Sequence, residues 1–322
     1  MNSYHPESFS TLAAIKRPIH LAIGMFDGIH LGHQSVIYSA IRSAELDGGL
    51  SGILTFDPHP SHLFRPENPT PQIYPARVKE ELLREIGVDL ALIQTFDHKF
   101  SKLTAKEFVG WLRGIVPSLS SVSVGENFRF GKGRSGSPKV LVESLRSHGI
   151  SVYSCERVQL DGEPISSTRI RSYLADRPIE EVNALLGRPY HSIGEVQKGK
   201  QLGRTLGFPT LNMPVEHELI PTLGVYLVRY RVLAPQPSVL RPAVANFGRR
   251  PTVEERDLPL LEVHSLEDCP ASYGDTLLVE WIRLLRPERK FSGVEELKDA
   301  IGRDRELALA QIAQNPSLCN TT

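Results

Sequence analysis

Cysteine is scarce in this sequence: the 322 residues contain three, Cys155, Cys269 and Cys319, which stand far apart and form no CxxC pair. This content argues against a disulfide scaffold and a zinc cluster, and it favours a reducing compartment. No stretch approaches the ~20 apolar residues of a membrane span. The first six residues lack the basic and apolar regions of a secretory signal. We therefore expect a soluble, cytoplasmic protein with no membrane partner.

An excess of charge of either sign is also missing, because 37 Lys and Arg residues balance 37 Asp and Glu residues. A nucleic-acid partner is disfavoured, since duplex binding usually requires surplus cations. A polybasic membrane surface is disfavoured for the same reason. The remaining composition, 40% hydrophobic and 23% charged, is that of an ordinary globular protein. The length predicts about two domains at roughly 150 residues each.

The first half of the chain alternates between short apolar runs and amphipathic segments. The runs predicted as strands are Pro18–Gly24, Ser51–Phe56, Val88–Phe96, Leu119–Gly125 and Ile150–Cys155. The segments predicted as helices are 33–46, 75–86, 104–115 and 138–148, of which the third starts with a capping box, Thr104 and Glu107. This alternation predicts a parallel, doubly wound α/β sheet, whose ligands bind at the carboxyl ends of the strands.

The second half reads differently, with short alternating runs between glycines and prolines. Its predicted strands are His191–Val196, Gly224–Leu233, Ala243–Phe247, Leu260–Leu266 and Thr276–Leu284. Helical stretches are expected at about 167–175 and 178–187, and a final helix at 294–313. Many short strands of this kind predict a small antiparallel β-barrel with the last helix packed across it.

The segment Gly24–Gln34 (GMFDGIHLGHQ) falls where the first strand ends and the first helix begins. Its glycines let the backbone approach a phosphate at a helix N-terminus, and its two histidines can donate to charge on a phosphoryl group. In the alternative interpretation it is a plain turn in which His33 caps the helix. A metal site is disfavoured because no third ligand follows at a suitable spacing.

Three more polar segments follow predicted strands or open a helix: Thr55–Pro60 (TFDPHP), Gly125–Arg134 (GENFRFGKGR) and Ile165–Arg171 (ISSTRIR). Singly they could be a rigid loop, a solvated loop and a capped surface helix. Their convergence on one edge of one sheet favours a shared site.

A second loop, Gly199–Asn212 (GKQLGRTLGFPTLN), combines glycines at a spacing of four with cations, which suits a phosphate-covering loop. It lacks the GK[ST] ending of a Walker A motif. Thr210 and Asn212 alternate along an extended segment, so both face one side, and their oxygens suit Mg²⁺. An ordinary barrel turn is the alternative. Glu262 is either the solvent-facing half of a strand or a general base.

These motifs, in this order, resemble the bacterial bifunctional riboflavin kinase/FAD synthetases. The resemblance runs from about Ala22 to Ala308 and includes GRPYHSIGEV, ANFGRRPT, LEVH and YGDTLLVEWIRLLRPERKF. It implies a Rossmann-like nucleotidyltransferase domain at 1–186 and a β-barrel riboflavin kinase domain at 187–322. The implied substrates are riboflavin, FMN and ATP with Mg²⁺, and the implied products are FMN and FAD.

For the first domain the resemblance implies transfer of AMP from ATP to FMN, with release of pyrophosphate. His30 and His33 would polarise the ATP phosphates. Residues assigned to the nucleotide and its phosphates are Gly24, Phe26, Asp27, Gly32, Asn127, Ser167 and Thr168. Arg169 is assigned as catalytic, since with Ser167 and Thr168 it would steady the leaving β- and γ-phosphates.

For the second domain the resemblance implies phosphorylation of riboflavin, with Glu262 as the base and Thr210 and Asn212 as Mg²⁺ ligands. Gly199, Gly203 and Arg204 would cover the ATP phosphates. This chain departs from the family at the acidic linker 253–259, which lacks a common glycine, at Ser265, where the family is commonly apolar, and at Lys198, where it often has histidine.

Two other functions stay open from the residues. One is a different HxGH adenylyltransferase, acting on a nicotinamide or pantetheine substrate, with an inert barrel. The other is a flavin-binding regulatory module without catalysis. The PTLN segment and Glu262 argue against the first, and the two phosphate loops argue against the second.

Overall fold

A computed structural model describes residues 1–199, 207–249 and 259–318. The chain divides into two compact units. The N-terminal unit comprises Met1–Gln72 and Lys79–Ser167, and the C-terminal unit comprises Ile73–Val78 and Thr168–Thr322. The C-terminal unit therefore includes a short segment that lies, in sequence, inside the first half of the chain.

The N-terminal unit is a parallel sheet with helices between its strands. Its strands are β1 Asn2–Tyr4, β2 Ile19–Ile23, β3 Leu50–Asp57, β4 Leu90–Thr95, β5 Leu119–Gly125 and β6 Ser151–Cys155, followed by a small hairpin of β7 Gln159–Leu160 and β8 Glu163–Pro164. Its helices are α1 Leu31–Asp47, α2 Pro60–Phe64, α3 Ala76–Ile86, α4 Ala105–Ile115 and α5 Pro138–Arg146, of which α3 begins in the segment grouped with the C-terminal unit.

The six strands of the main sheet run in the order β1-β4-β3-β2-β5-β6, and every neighbouring pair is parallel. All five residues of β2 are buried, as expected for a strand covered on both faces. The predicted doubly wound, Rossmann-like fold is confirmed.

Most predicted elements are present within one or two residues of the expected bounds. β1 has no counterpart in the sequence analysis, because a three-residue edge strand shows no hydrophobic period. The first helix begins at Leu31 rather than at residue 33. The TFDPHP segment, expected to be a rigid loop, contains the start of α2, since Pro60 suits the first turn of a helix and His59 caps it.

The C-terminal unit is an antiparallel sheet with helices before and after it. Helix α6 Ser167–Asp176 begins at the last residue of the N-terminal unit, and α7 Ile179–Leu186 follows it. The strands are β9 Tyr190–Glu195, β10 Leu211–Pro214, β11 Gly224–Ala234, β12 Arg241–Gly248, β13 Leu260–Ser265 and β14 Thr276–Pro287, and the last long helix is α8 Val294–Gln314.

The antiparallel strands run in the order β10-β13-β12-β11-β14-β9. The sheet curls so that its two edge strands, β10 and β9, approach each other. The backbone N–H of Gln197, just after β9, donates to the carbonyl of Asn212 in β10 over 2.8 Å. Gly194 of β9 also lies against the side chain of Met213 in β10. The predicted small antiparallel barrel with a terminal helix is thereby confirmed.

An aromatic cluster fills the barrel of the C-terminal unit. The Trp281 ring is fully buried, and its centroid lies 4.9 Å from those of Tyr226 and Phe247. Tyr74, from the segment Ile73–Val78, stacks on Tyr190 with centroids 5.1 Å apart. Both rings are fully buried, so this segment is part of the packing of the C-terminal unit.

Across the described parts of the chain, every helix is too short or too polar to cross a bilayer.

Candidate active sites

The carboxyl ends of β2, β3 and β5 meet at the sheet edge where the sequence predicts a phosphate site. β2 lies between β3 and β5. The chain passes from β2 through α1 to β3 on one side and later adds β5 on the other side. Such a reversal of strand order opens a crevice at the carboxyl edge, which is where sheets of this kind bind ligands.

The loop that leaves β2 holds an uncommon backbone conformation. Phe26 has φ +48°, Gly28 has φ +84° and Ile29 has φ +42°. Side-chain-bearing residues rarely adopt this left-handed region, and such strain concentrates at functional sites. Phe26 and Ile29 are nonetheless almost fully buried, so packing holds the strained loop in place.

The loop delivers two stacked imidazoles to the N-terminus of α1. The ring centroids of His30 and His33 lie 3.7 Å apart with an interplanar angle of 17°, and Phe26 packs edge-on against His33 at 5.5 Å. His30 is the N-cap, since its Nδ1 accepts the backbone N–H of His33 over 3.3 Å. The alternative in which His33 caps the helix is therefore wrong: the helix begins at Leu31, and only the residue before it can serve as its cap.

The capping bond determines what His30 can do chemically. Because Nδ1 accepts a hydrogen bond, the proton of the neutral ring lies on Nε2, which can donate. The first turn of α1 adds backbone N–H groups and the positive end of the helix dipole. Together these groups form an arrangement suited to phosphate.

Other residues assigned from the resemblance hold this loop. Ser167 Oγ donates to the carbonyl of Asp27 over 2.9 Å. A side chain on Gly32 would come within 3.2 Å of the His30 ring, and one on Gly24 would come within 3.2 Å of the Phe26 ring. Glycine at these two positions therefore gives the rings room.

The remaining assigned residues of this half occupy other positions. Asn127 is exposed just after β5, with its Oδ1 close to Gly125. Thr168 and Arg169 lie in α6 and belong to the C-terminal unit. Within that unit the Arg169 Nε and Nη2 atoms donate to the Tyr173 hydroxyl over 3.2 and 3.1 Å.

Lys79 is a further candidate phosphate-site residue, and it was not identified from the sequence. It lies in α3, is partly buried, and faces the charges of Asp27 in the strained loop and Asp57 at the end of β3. Burial lowers the pKa of Lys79, while these two carboxylates and Glu80 act in the opposite direction. No local pattern distinguishes this lysine from others on a polar helix face, so its position became apparent only from the fold.

A cavity of about 640 Å³ opens at the same edge of the sheet. Gly24 and Met25 line it beside seven aromatic rings, those of Phe56, Phe64, Phe96, Phe100, Phe108, Phe128 and Phe130. Phe128 and Phe130 stack with centroids 5.6 Å apart. This cavity was not predicted from the sequence. The two phenylalanines of GENFRFGKGR were the available signal, but their partners come from distant parts of the chain.

In the C-terminal unit three polar side chains form a row across neighbouring strands. Glu262 of β13 lies opposite Asn212 of β10 on one side and Asn246 of β12 on the other. Asn246 Nδ2 donates to Glu262 Oε2 over 3.3 Å. Residues directly opposite on antiparallel strands share one face of the sheet. Asn246 was not singled out from the sequence, although it lies in the ANFGRRPT motif.

Gly199 and Thr210 both lie close to Asn212, at one end of this row. A side chain on Gly199 would overlap the Asn212 amide at 2.5 Å, so the glycine backbone lies against that amide. Thr210 precedes β10, two residues before Asn212. Gly203 and Arg204, and residues 253–258 of the acidic linker, lie outside the described residues.

A second cavity, of about 650 Å³, adjoins this row. Thr210 and Asn212 line it together with Ser265 and Tyr273. Thr210 and Asn212 therefore border a space large enough for a nucleotide.

Comparison with known proteins also divides the chain into two parts, each of which contains one of the two candidate sites. The FAD synthetase family profile matches residues 12–169, and the riboflavin kinase profile matches residues 186–312. The bifunctional riboflavin kinase/FMN adenylyltransferase of Escherichia coli K12 is 36% identical over 284 residues, which cover 88% of this chain and 90% of the relative. The Bacillus subtilis protein of the same name is 33% identical and covers 90% of this chain and 91% of the relative.

The chain belongs to the bifunctional riboflavin kinase/FMN adenylyltransferase family.

A solved structure described as a macrolide-efflux protein from Streptococcus pneumoniae resembles this family member over 96% of the chain and 99% of its own length. The TM-score is 0.82 and the sequence identity is 26%. This likeness concerns the fold. Both parts of the family pattern are present here, so the interpretation of the second half as an inert barrel is not favoured.

Proposed function

We propose that this chain forms FMN from riboflavin and ATP, and then FAD from FMN and a second ATP. The observation that carries the proposal is that one chain holds two phosphate-directed arrangements: the stacked His30 and His33 at the start of α1, and the Asn212–Glu262–Asn246 row on the antiparallel sheet. We assign the adenylyltransferase to residues 1–186 and the kinase to residues 187–322. A cytoplasmic location stays a prediction.

In the adenylyltransferase, a phosphate oxygen of FMN attacks the α-phosphorus of ATP. A new P–O bond forms, the bond between the α-phosphorus and the bridging oxygen breaks, and pyrophosphate leaves. His30 donates from Nε2 to the phosphate oxygens, and His33 and the N-terminus of α1 add further donors. Lys79 adds a positive charge nearby. Positioning and charge stabilisation account for most of the catalysis of such a transfer.

The other assigned residues of this half shape the nucleotide site. Gly24, Phe26, Asp27 and Gly32 maintain the strained loop, and Asn127 contacts the nucleotide. Ser167, Thr168 and Arg169 steady the leaving pyrophosphate. The aromatic cavity beside Gly24 receives the isoalloxazine ring of FMN, because flat aromatic walls bind a flat conjugated ring by stacking.

In the kinase, Glu262 accepts the proton of the 5′-hydroxyl of riboflavin while that oxygen attacks the γ-phosphorus of ATP. The bond from the γ-phosphorus to the bridging oxygen breaks, and ADP leaves. The hydrogen bond from Asn246 orients the Glu262 carboxylate. Gly199, Gly203 and Arg204 cover the phosphates, and the cavity lined by Thr210 and Asn212 receives ATP.

The donors at this site suit Mg²⁺. The side chains of Thr210 and Asn212 offer a hydroxyl and an amide oxygen, which are both hard ligands. Because residue 199 is glycine, no side chain from it covers the Asn212 amide. Thr210 and Asn212 would hold the ion. When bound, it neutralises charge on the ATP phosphates.

The experiment compares His30→Asn with Glu262→Gln. Asparagine is a strong N-cap, so His30→Asn keeps the start of α1 and removes only the imidazole. We expect this variant to lose roughly 100-fold or more of its FAD formation from FMN while FMN formation stays within about twofold. Glu262→Gln should lose roughly 100-fold or more of FMN formation and keep FAD formation from supplied FMN. Products are separated chromatographically after incubation with ATP and Mg²⁺.

Three outcomes would contradict the proposal. If folded wild-type protein forms neither FMN nor FAD, the bifunctional assignment is wrong and a regulatory flavin-binding role is favoured. If either variant loses both activities, the two sites are not separate. Faster turnover of nicotinamide mononucleotide than of FMN would favour a different adenylyltransferase.

A further inference from the structure

The aromatic cavity of the N-terminal unit has two arginines in its lining and no carboxylate. Arg129 and Arg134 both come from the loop after β5, and both are exposed at the rim. The other lining residues are aromatic, apolar or small, apart from His59 and Ser101. A cavity that combines flat apolar walls with guanidinium groups suits a flat ligand that has one electron-rich edge.

The loop that carries Arg134 is held rigidly by its own backbone. Arg134 has φ +59°, and Gly131 and Gly133 have φ +72° and +66°. Gly136 N–H donates to the carbonyl of Phe130 over 2.8 Å, and Lys132 N–H donates to the carbonyl of Leu103 over 2.6 Å. The backbone that carries the arginine is therefore fixed before any ligand arrives, which lowers the entropic cost of ordering the loop on binding.

The anchoring contacts also locate this rim within the sheet. Gly131 lies against Ala105, because a side chain on it would come within 2.7 Å of the Ala105 nitrogen. Ala105 opens α4, the helix that follows β4. The histidine pair follows β2, which lies directly beside β5, the strand that leads into the arginine loop. Gly24 and Met25, which lead from β2 toward the histidines, line the same cavity as the arginines. An FMN molecule with its phosphate at the histidines and its ring in this cavity therefore brings the ring to the arginines.

We propose that Arg134, with Arg129 beside it, binds the dioxopyrimidine edge of the isoalloxazine ring and so helps to select flavin in the adenylyltransferase site. This edge carries two carbonyl oxygens, and a guanidinium offers several N–H donors in one plane. The dimethylbenzene edge of the ring offers no acceptor. The inference rests on the proposed adenylyltransferase function and names the ring contact within it.

The test uses lumiflavin, an isoalloxazine with a methyl group in place of the ribityl phosphate. It has no hydroxyl that the kinase could phosphorylate. Arg134→Gln keeps an unbranched side chain at the left-handed position and removes the charge. We expect this variant to raise the inhibition constant of lumiflavin against adenylylation and the KM of FMN by the same factor, roughly tenfold. Lys132→Gln is the matched control, since Lys132 is exposed in the same loop but does not line the cavity, and both constants should stay within about twofold.

Two results would overturn the proposal. A higher KM for FMN with an unchanged lumiflavin constant would place Arg134 at the phosphate, and in that case Arg134→Lys should restore most of the FMN affinity. No change in either constant would remove Arg134 from the site. Fluorescence titration of lumiflavin on the same proteins needs no turnover. A binding phase that Arg134→Gln weakens and Lys132→Gln leaves unchanged decides the ring contact even if wild-type protein makes no FAD and the proposed function is wrong, and any phase from the kinase site is the same in both variants.

Discussion

At the residue scale, backbone packing is tightest where a glycine leaves no space for a side chain. Gly49, between α1 and β3, is buried, and a Cβ there would lie 2.7 Å from the carbonyl oxygen of Pro18 and 2.8 Å from His20 Nε2. His20 Nε2 also lies 3.0 Å from Asp47 Oδ1, and its Nδ1 lies 2.8 Å from Ser121 Oγ. This cluster joins the starts of β2 and β3 to the end of α1.

Gly49→Ala should therefore destabilise the N-terminal unit. The added methyl group must displace backbone or a buried imidazole, which costs roughly 1–3 kcal/mol of unfolding free energy. Urea denaturation measures the loss. Gly110→Ala in α4 is the matched control, because nothing lies within 4 Å of its Cβ position, and alanine there should stabilise by up to ~1 kcal/mol. Equal effects of the two substitutions would show that the contacts at Gly49 relax freely.

At the element scale, α4 depends on a reciprocal cap at its first turn. The backbone N–H of Thr104 donates to Glu107 Oε2 over 2.8 Å, and the backbone N–H of Glu107 donates to Thr104 Oγ1 over 3.2 Å. The bonds that the Thr104 backbone N–H and the Thr104 hydroxyl donate to the Glu107 carboxylate lower the pKa of Glu107. The predicted capping box is confirmed, which shows that a helix start can be read locally when its donors and acceptors lie three residues apart.

Thr104→Ala should cost about 1 kcal/mol of unfolding free energy, since the first turn of α4 loses its side-chain acceptor. Thr104→Ser keeps the hydroxyl and should remain within about 0.5 kcal/mol of wild type. Urea midpoints at pH 7 distinguish the two substitutions. A serine variant as unstable as the alanine variant would assign the effect to the lost methyl group instead of the cap.

At the scale of the whole molecule, a buried histidine links the stability of the C-terminal unit to pH. His217 Nδ1 contacts the Tyr190 hydroxyl at 2.5 Å, and that hydroxyl also lies 3.1 Å from the carbonyls of Ile73 and Leu219. Tyr190 has one proton to donate and two carbonyls near it, so His217 best serves as the donor from Nδ1. Burial lowers the pKa of His217 to about 4, because the charged ring would lose its hydration.

This shift determines the sign of the pH dependence. The folded pKa lies below the ordinary value of about 6.5, so the unfolded chain binds more protons between these two values. The contribution of neutral, buried His217 to the free energy of unfolding is complete above pH 6.5. It disappears as the pH falls toward 4, a loss of about 3 kcal/mol of unfolding free energy. His217→Asn keeps a donor near the Nδ1 position and removes this titration, so it should reduce the slope of stability against pH. The buried His191, whose pKa burial lowers to about 3, should keep a slope of the same sign in the variant. Hydrogen exchange of β11 amides at several pH values measures the unfolding free energy of this unit. If its slope against pH is the same in His217→Asn as in wild type, the role of His217 is refuted.

The sequence by itself determined the elements and the order of the motifs. β5 was predicted with the bounds it has, Leu119–Gly125, and the final helix was predicted within one residue of its end. This was possible because hydrophobic periods, caps and turns depend on residues a few positions apart. The family motifs could be recognised for the same reason, since each is a short contiguous string.

Only the tertiary structure decided which side chains meet. The aromatic cavity, the position of Lys79, and the packing of Tyr74 on Tyr190 all join residues far apart in the sequence. The opposition of Glu262 to both Asn212 and Asn246 depends on strand register, and a shift of one residue would turn that carboxylate to the other face. Register and long-range packing follow from the burial of the whole core, which no local segment encodes.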